Sequence, residues 1–112
     1  MTTTVRIDVH TVRDAKSFHE VFAKAMGFPA TYGRNMDAWI DCMSSLDKPA
    51  AGMTKVHAKA GGMVLLHLDK AGDFAKHSPE LFAQFLDAVA FVNWRQVEAG
   101  RPALLAMAYE KT

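Results

Sequence analysis

Apolar and polar residues alternate at the start of the chain, Val5, Ile7 and Val9 with Arg6, Asp8 and His10, which is the period of a half-buried strand. The period then changes to that of a helix. Phe18, Val21, Phe22, Ala25 and Met26 recur at helical spacing, Asp14 or Ser17 can cap the start, and Gly27 and Pro29 mark the end. A second helix is expected from Met36. Steps of about 100° per residue place Ala38, Trp39, Cys42, Met43 and Leu46 on one half, a core face. Met36, Asp37, Ile40, Asp41, Ser44 and Ser45 share the other half, where Met36 and Ile40 read as apolar surface left uncovered beside two acids.

Met63 to Leu68 is nearly continuous apolar, the pattern of a central strand covered by helices on both faces. A short helix is expected over residues 69–76. Ser78-Pro79-Glu80 then reads as the N-cap, first-turn proline and first-turn acid of a long one. That helix should bury Phe82, Phe85, Leu86, Val89, Val92 and Val97. Phe91 and Trp94 fall on its polar side among Gln84, Asp87, Arg95 and Glu98, which implies a bend, a covering element or, more sharply, an oligomer contact. Gly100 and Pro102 end the helix, and residues 103–109 supply a third strand that is again apolar enough to be covered. The order β-α-α-β-α-α-β predicts an α/β fold with a small three-stranded parallel sheet and right-handed crossovers.

Residues 47–62 lose this regularity and gain Pro49, Gly52, Gly61 and Gly62, a long connection for a small domain. Lys55, His57 and Lys59 alternate within it, as in an exposed strand or a basic flap, or simply a tolerated surface insertion. With 112 residues, half of them hydrophobic, the chain is expected to form a single domain over 1–112. There is no apolar run near 20 residues and no signal-peptide pattern at the N-terminus, so neither a membrane nor export is indicated. One cysteine allows no internal disulfide, which suits a reducing cytoplasm. The formal net charge of +1 gives no global reason to expect nucleic acid as a partner.

The chemistry is concentrated at residues 29–46. Pro29 fixes φ, Gly33 can take φ above zero, and Asn35 is among the best helix N-caps. Asp37 and Asp41 follow at i and i+4, where like charges cost a helix a few tenths of a kcal/mol. The helix dipole compensates Asp37, in the first turn, far better than Asp41. On its own the pair also reads as a cap residue and an ordinary solvated acid.

The string Tyr32-Gly33-Arg34-Asn35-Met36-Asp37-Ala38, followed one turn on by Asp41-Cys42, resembles the signature of the barstar family, small inhibitors of microbial ribonucleases. The resemblance covers about residues 29 to 46 as sequence and the whole chain as architecture. It implies an inhibitor, not an enzyme, that occludes the active site of a cognate guanyl-specific, barnase-like ribonuclease and protects the producing cell. Carboxylates on the motif helix would stand in for RNA phosphate and accept charge-assisted hydrogen bonds from the enzyme's basic groups. Carried over by position, Asp41 and then Asp37 are the main contacts. Asn35 would add a contact to its capping role, Met36 and Ile40 would pack beside the acids, and Thr31, Ser44 and Ser45 would lie at the edges. Tyr32 and Gly33 are the structural part of the motif. No cofactor or metal is implied, and the free protein is expected to be a monomer.

Thr31 stands where the best-known members have an aromatic residue, Trp39 lies next to where another is expected, and Ser45-Leu46 replaces a Gly-Trp pair. Arg95 falls near the place of an acid contributed by the last helix, and the chain lacks the strong overall acidity of those members. A barstar-like interaction module with a target other than a ribonuclease is therefore the alternative. An enzyme could use Asp37 and Asp41 as an acid and base with His67 or His77 nearby. No glycine-rich phosphate loop or nucleophile motif supports one. His10, His19, His57, His67 and His77 have no single-helix metal spacing, and Cys42 belongs to the core face.

Overall fold

The structure, a computed structural model, describes residues 1–110. The chain order is β1 (Thr2–Asp8), α1 (Ala15–Met26), α2 (Met36–Met43), β2 (Met63–Asp69), α3 (Ala71–His77), α4 (Pro79–Glu98) and β3 (Leu105–Tyr109). The strands lie side by side in that same order, all parallel, with Thr2 opposite Met63, Ile7 opposite Leu68 and Leu66 opposite Met107. This is the three-stranded α/β arrangement that the periodicity predicts.

The sheet differs from the expectation in one respect: it is covered on one face. Val64, Leu66 and Leu68 of β2 are buried, whereas the alternate residues Met63, Leu65, His67 and Asp69 are only partly so. On the same open side β1 exposes Thr2, Thr4, Arg6 and Asp8, and β3 leaves Ala106 and Ala108 partly exposed. The cause is topological. Strands paired in chain order through crossovers of one hand bring both helical connections back over the same face. On the open face Arg6 reaches diagonally to Asp69, with Nη2 2.7 Å from Oδ1 and Nε 3.3 Å from Oδ2.

Of the two N-caps possible for α1, Asp14 is the one used. Its carboxylate accepts from the Ser17 amide at 2.9 Å while the Ser17 hydroxyl lies 3.2 Å from the Asp14 amide, a capping box. The helix closes on Gly27 at φ 69°, where an added Cβ would meet the Lys55 side chain at 2.6 Å. At α4, Ser78 is the N-cap by position, but its hydroxyl donates to the Arg13 carbonyl at 2.7 Å instead of capping. Its bond thus links the two helix starts.

The core is aromatic. Phe18, Phe22, Trp39, Phe74 and Phe85 are fully buried, with Trp39 5.7 Å from Phe22 and 5.8 Å from Phe85 between ring centres. Val97, expected in this core, is 59 % exposed, and Gln96 is buried in its place. The buried stripe Phe85, Val89, Val92, Gln96 advances by four, three and four residues, and Val97 lies one helical step beyond it. Asn93 faces β3 and fastens it, its Oδ1 accepting from the amides of Leu104 at 3.0 Å and Leu105 at 2.9 Å while its Nδ2 donates to the Leu105 carbonyl at 2.9 Å.

The connection 47–62 contains one short 3-10 turn, Pro49–Ala51, and no strand. It is tied down by the Lys55 amide donating to the Met26 carbonyl at 2.9 Å and the Ala58 amide to the Leu46 carbonyl at 2.8 Å, with Thr54 and Ala58 buried. Lys55 and Lys59 are exposed. Among the described residues no helix is long and apolar enough to cross a membrane.

Candidate protein-binding face

The turn ahead of α2 is built on Tyr32. Its amide donates to the Pro29 carbonyl at 2.9 Å, its ring lies 4.6 Å from that of Phe28, and its hydroxyl is 2.5 Å from His19 Nδ1. Burial pushes the Tyr32 hydroxyl well above its usual range, and burial followed by the Arg34 charge holds His19 below its own. The positive φ expected at Gly33 falls instead on Arg34, at 54°. A left-handed arginine costs roughly 1 kcal/mol, and it turns the chain into the extended N-cap Asn35, whose Oδ1 accepts from the Ala38 amide at 2.8 Å.

From that cap α2 runs for two turns. Trp39, Cys42 and Met43 point into the core, and burial, then the nearby Asp41, raises the Cys42 thiol above its usual range. Asp37 and Asp41 are exposed, and among the described residues neither carboxylate has a cation or a hydrogen-bond donor beside it. Met36 and Ile40 are not open surface as expected. Both are half-buried, lining a groove of about 450 Å³ with Gln84, Asp87, Ala88 and Phe91 of α4. The α2 acids thus stand beside an apolar groove to which a third carboxylate, Asp87, belongs.

The edges are less uniform. The Ser44 hydroxyl donates to the Ile40 carbonyl at 2.6 Å and the Ser45 hydroxyl to the Asp41 carbonyl at 3.2 Å, so both are turned back onto the helix. Ser44 also lines a second pocket, with Lys48, Trp94, Arg95 and Arg101. Thr31 is exposed in the turn and lines neither space, and Asn35 is exposed with its oxygen committed to the cap. His67 is on the open side of the sheet and His77 at the end of α3, so neither joins the acids. Among the described residues no three His, Cys, Asp or Glu side chains are grouped as a metal site.

Asp87 and Phe91, with Gln84 and Ala88, are members of this face that the sequence did not single out as site residues. The i, i+4 spacing of Asp87 and Phe91 on the polar side of α4 was the available signal, but the meeting of α2 with α4 is needed to read it.

The family model for barstar, the barnase inhibitor, matches residues 2–107. The chain belongs to the barstar family. The match extends far beyond the segment 29–46 on which the resemblance first rests, so strands and helices of the barstar fold are carried by sequence along almost the whole chain. No curated protein matches. Barstar is an inhibitor family, and the parallel sheet with its helical layer is consistent with the barstar fold.

Proposed function

We propose that this barstar-family chain inhibits a cognate guanyl-specific, barnase-like ribonuclease of its own producer, acting in the cytoplasm by laying the α2 face over the enzyme's active site. The observation that carries the reading is the pair Asp37 and Asp41, exposed, without a salt-bridge or hydrogen-bond partner among the described residues, and each next in sequence to a residue, Met36 or Ile40, that lines the groove with Phe91. Two carboxylates about one turn apart match adjacent phosphate-binding cations, and each hydrogen bond to a charged group contributes about 1.5–3 kcal/mol. A partner seated over the half-buried apolar groove would exclude water beside them, which would strengthen those bonds. Thr31 and Asn35 would meet the enzyme ahead of the acids and Ser44 and Ser45 beyond them.

The test is capture on immobilised protein from the source organism, with Asp41→Ala as the parallel bait, followed by a ribonuclease assay of the eluate. A ribonuclease retained by wild type and lost by the variant supports both the target and the face. Equal retention by both, or no ribonuclease, overturns the reading. A second reading, a protein target of another kind, draws on Arg95, which falls near the place where the family resemblance calls for an acid, and on the net charge of +1. Retention of such a protein through Asp41 would identify it.

A further inference from the structure

Apart from Met1, the large apolar side chains most exposed among the described residues are Phe91, Trp94 and Val97, all on α4. Phe91 and Trp94 lie 5.8 Å apart between ring centres, and the Arg95 guanidinium sits 5.7 Å over the Phe91 ring. Exposed aromatic side chains grouped in this way are enriched at protein contacts.

The two flanks of this aromatic pair carry opposite charge. Toward the start of α4, Phe91 closes the groove that holds Met36 and Ile40, where Asp87 lines the wall and Asp37 and Asp41 stand on α2. Toward the end of α4, Trp94 lines a pocket of about 370 Å³ with Lys48, Arg95 and Arg101, where Glu98 is the acid. Gln96, 4 % exposed, accepts from Arg101 Nε at 2.8 Å, so this cation is held in place. Acids, aromatics and cations therefore follow one another along the α2–α4 surface.

A surface with that order is complementary to itself. A two-fold axis through the aromatic pair sets the acidic flank of one copy against the cationic flank of the other, twice, with aromatic rings meeting at the centre, as an isologous contact requires. We propose that this face pairs two copies of the chain into a two-fold dimer, in place of the monomer expected from sequence. Asp37 and Asp41 are then covered in the dimer, so a ribonuclease would compete with the second copy for them; that consequence rests on the inhibitor reading, whereas the dimer does not.

Sedimentation velocity on the full chain tests this. The weight-average mass should rise with concentration from 12.3 kDa toward twice that value, and Trp94→Ala should hold it at 12.3 kDa. Two charge-reversed proteins, Lys48→Glu with Arg95→Glu and Asp37→Lys with Asp41→Lys, should each remain monomeric alone and pair when mixed. Trp94→Ala in either should abolish that pairing. All these side chains are exposed, and circular dichroism checks that each variant folds. A wild-type mass fixed at 12.3 kDa, a dimer indifferent to Trp94→Ala, or reversed variants that fail to pair when mixed would each overturn the proposal. A dimer without a captured ribonuclease sinks only the inhibitor reading, and a ribonuclease captured by a strict monomer sinks only the dimer.

Discussion

His19 on α1 and Tyr32 in the turn before α2 meet through a 2.5 Å hydrogen bond between Nδ1 and the hydroxyl, in a site where His19 is 3 % exposed. The bond ties the turn that launches the acidic helix to the body of the protein. Tyr32→Phe keeps the ring contacts with Phe28 and leaves the buried Nδ1 without this partner. The expected cost is about 1–3 kcal/mol, measured by urea unfolding, with His19→Phe and Tyr32→Phe combined costing less than the sum of the two.

Burial of His19, with the Arg34 charge nearby, also sets a pH dependence. Because folding lowers the His19 pKa, the unfolded chain binds more protons between the ordinary value of 6.5 and the folded one. Stability is therefore full above pH 6.5 and falls as the pH drops through that window, by at most about 1.4 kcal/mol per pH unit. Asp8 and Asp14, both held below 3.8 by hydrogen bonds from His10 and Ser17 respectively, lose their contributions only at lower pH. Urea midpoints at pH 7.5, 6.5 and 5.5 should show the first loss in wild type and a flatter profile in His19→Gln.

What the sequence shows clearly is whatever a single element decides. Asn35 as cap, Trp39 and Cys42 as core and Gly27 as a helix stop follow from local spacing, and each holds. Features that depend on two elements meeting are invisible at that level. Met36 and Ile40 are half-covered only because α4 passes beside them, and the run Met63 to Leu68 is as apolar as a doubly covered strand although helices cover one side. At Val97 the helix phase, fixed by Phe85, Val89 and Val92, overrides the hydrophobicity of a single residue.

Asn93 and the start of β3 provide a further case, since beside its ladder with β2 the outer strand is fastened by one side chain that accepts from two amides and donates to a carbonyl. Asn93→Ala leaves three part-buried backbone groups to find other partners. A loss of about 2–3 kcal/mol is expected, with faster amide exchange at Leu104 and Leu105 than in β2 as the local readout.

The two turn glycines should respond oppositely. Gly33 does not need a positive φ, and the nearest atom to an added Cβ is the Ala38 Cβ at 3.4 Å, an ordinary contact. Gly33→Ala should therefore change stability by less than about 0.5 kcal/mol or raise it slightly by restricting the unfolded chain. Gly27→Ala combines a left-handed backbone with displacement of the Lys55 stem, and should cost about 1–2 kcal/mol. Parallel urea titrations decide between them.

Asp37 and Asp41 differ in what they do for the free protein. Asp37 is in the first turn of α2, where a carboxylate gains about 0.3–1 kcal/mol from the helix dipole. Asp41 is a turn further on, beyond most of that effect, and repels Asp37 by a few tenths of a kcal/mol. Alanine also has the better helix propensity. Asp37→Ala should thus lower the unfolding free energy slightly, while Asp41→Ala leaves it unchanged or raises it by about 0.5 kcal/mol. A shift in this sense at low ionic strength that shrinks in high salt would show that Asp41 sits where the fold gains nothing from a charge. An aspartate kept on the surface against the preference of its own helix is the residue expected to be explained by a partner. If Asp41→Ala instead destabilises the free chain by more than 1 kcal/mol or so, the side chain has a structural role that its exposed, unpaired position does not suggest.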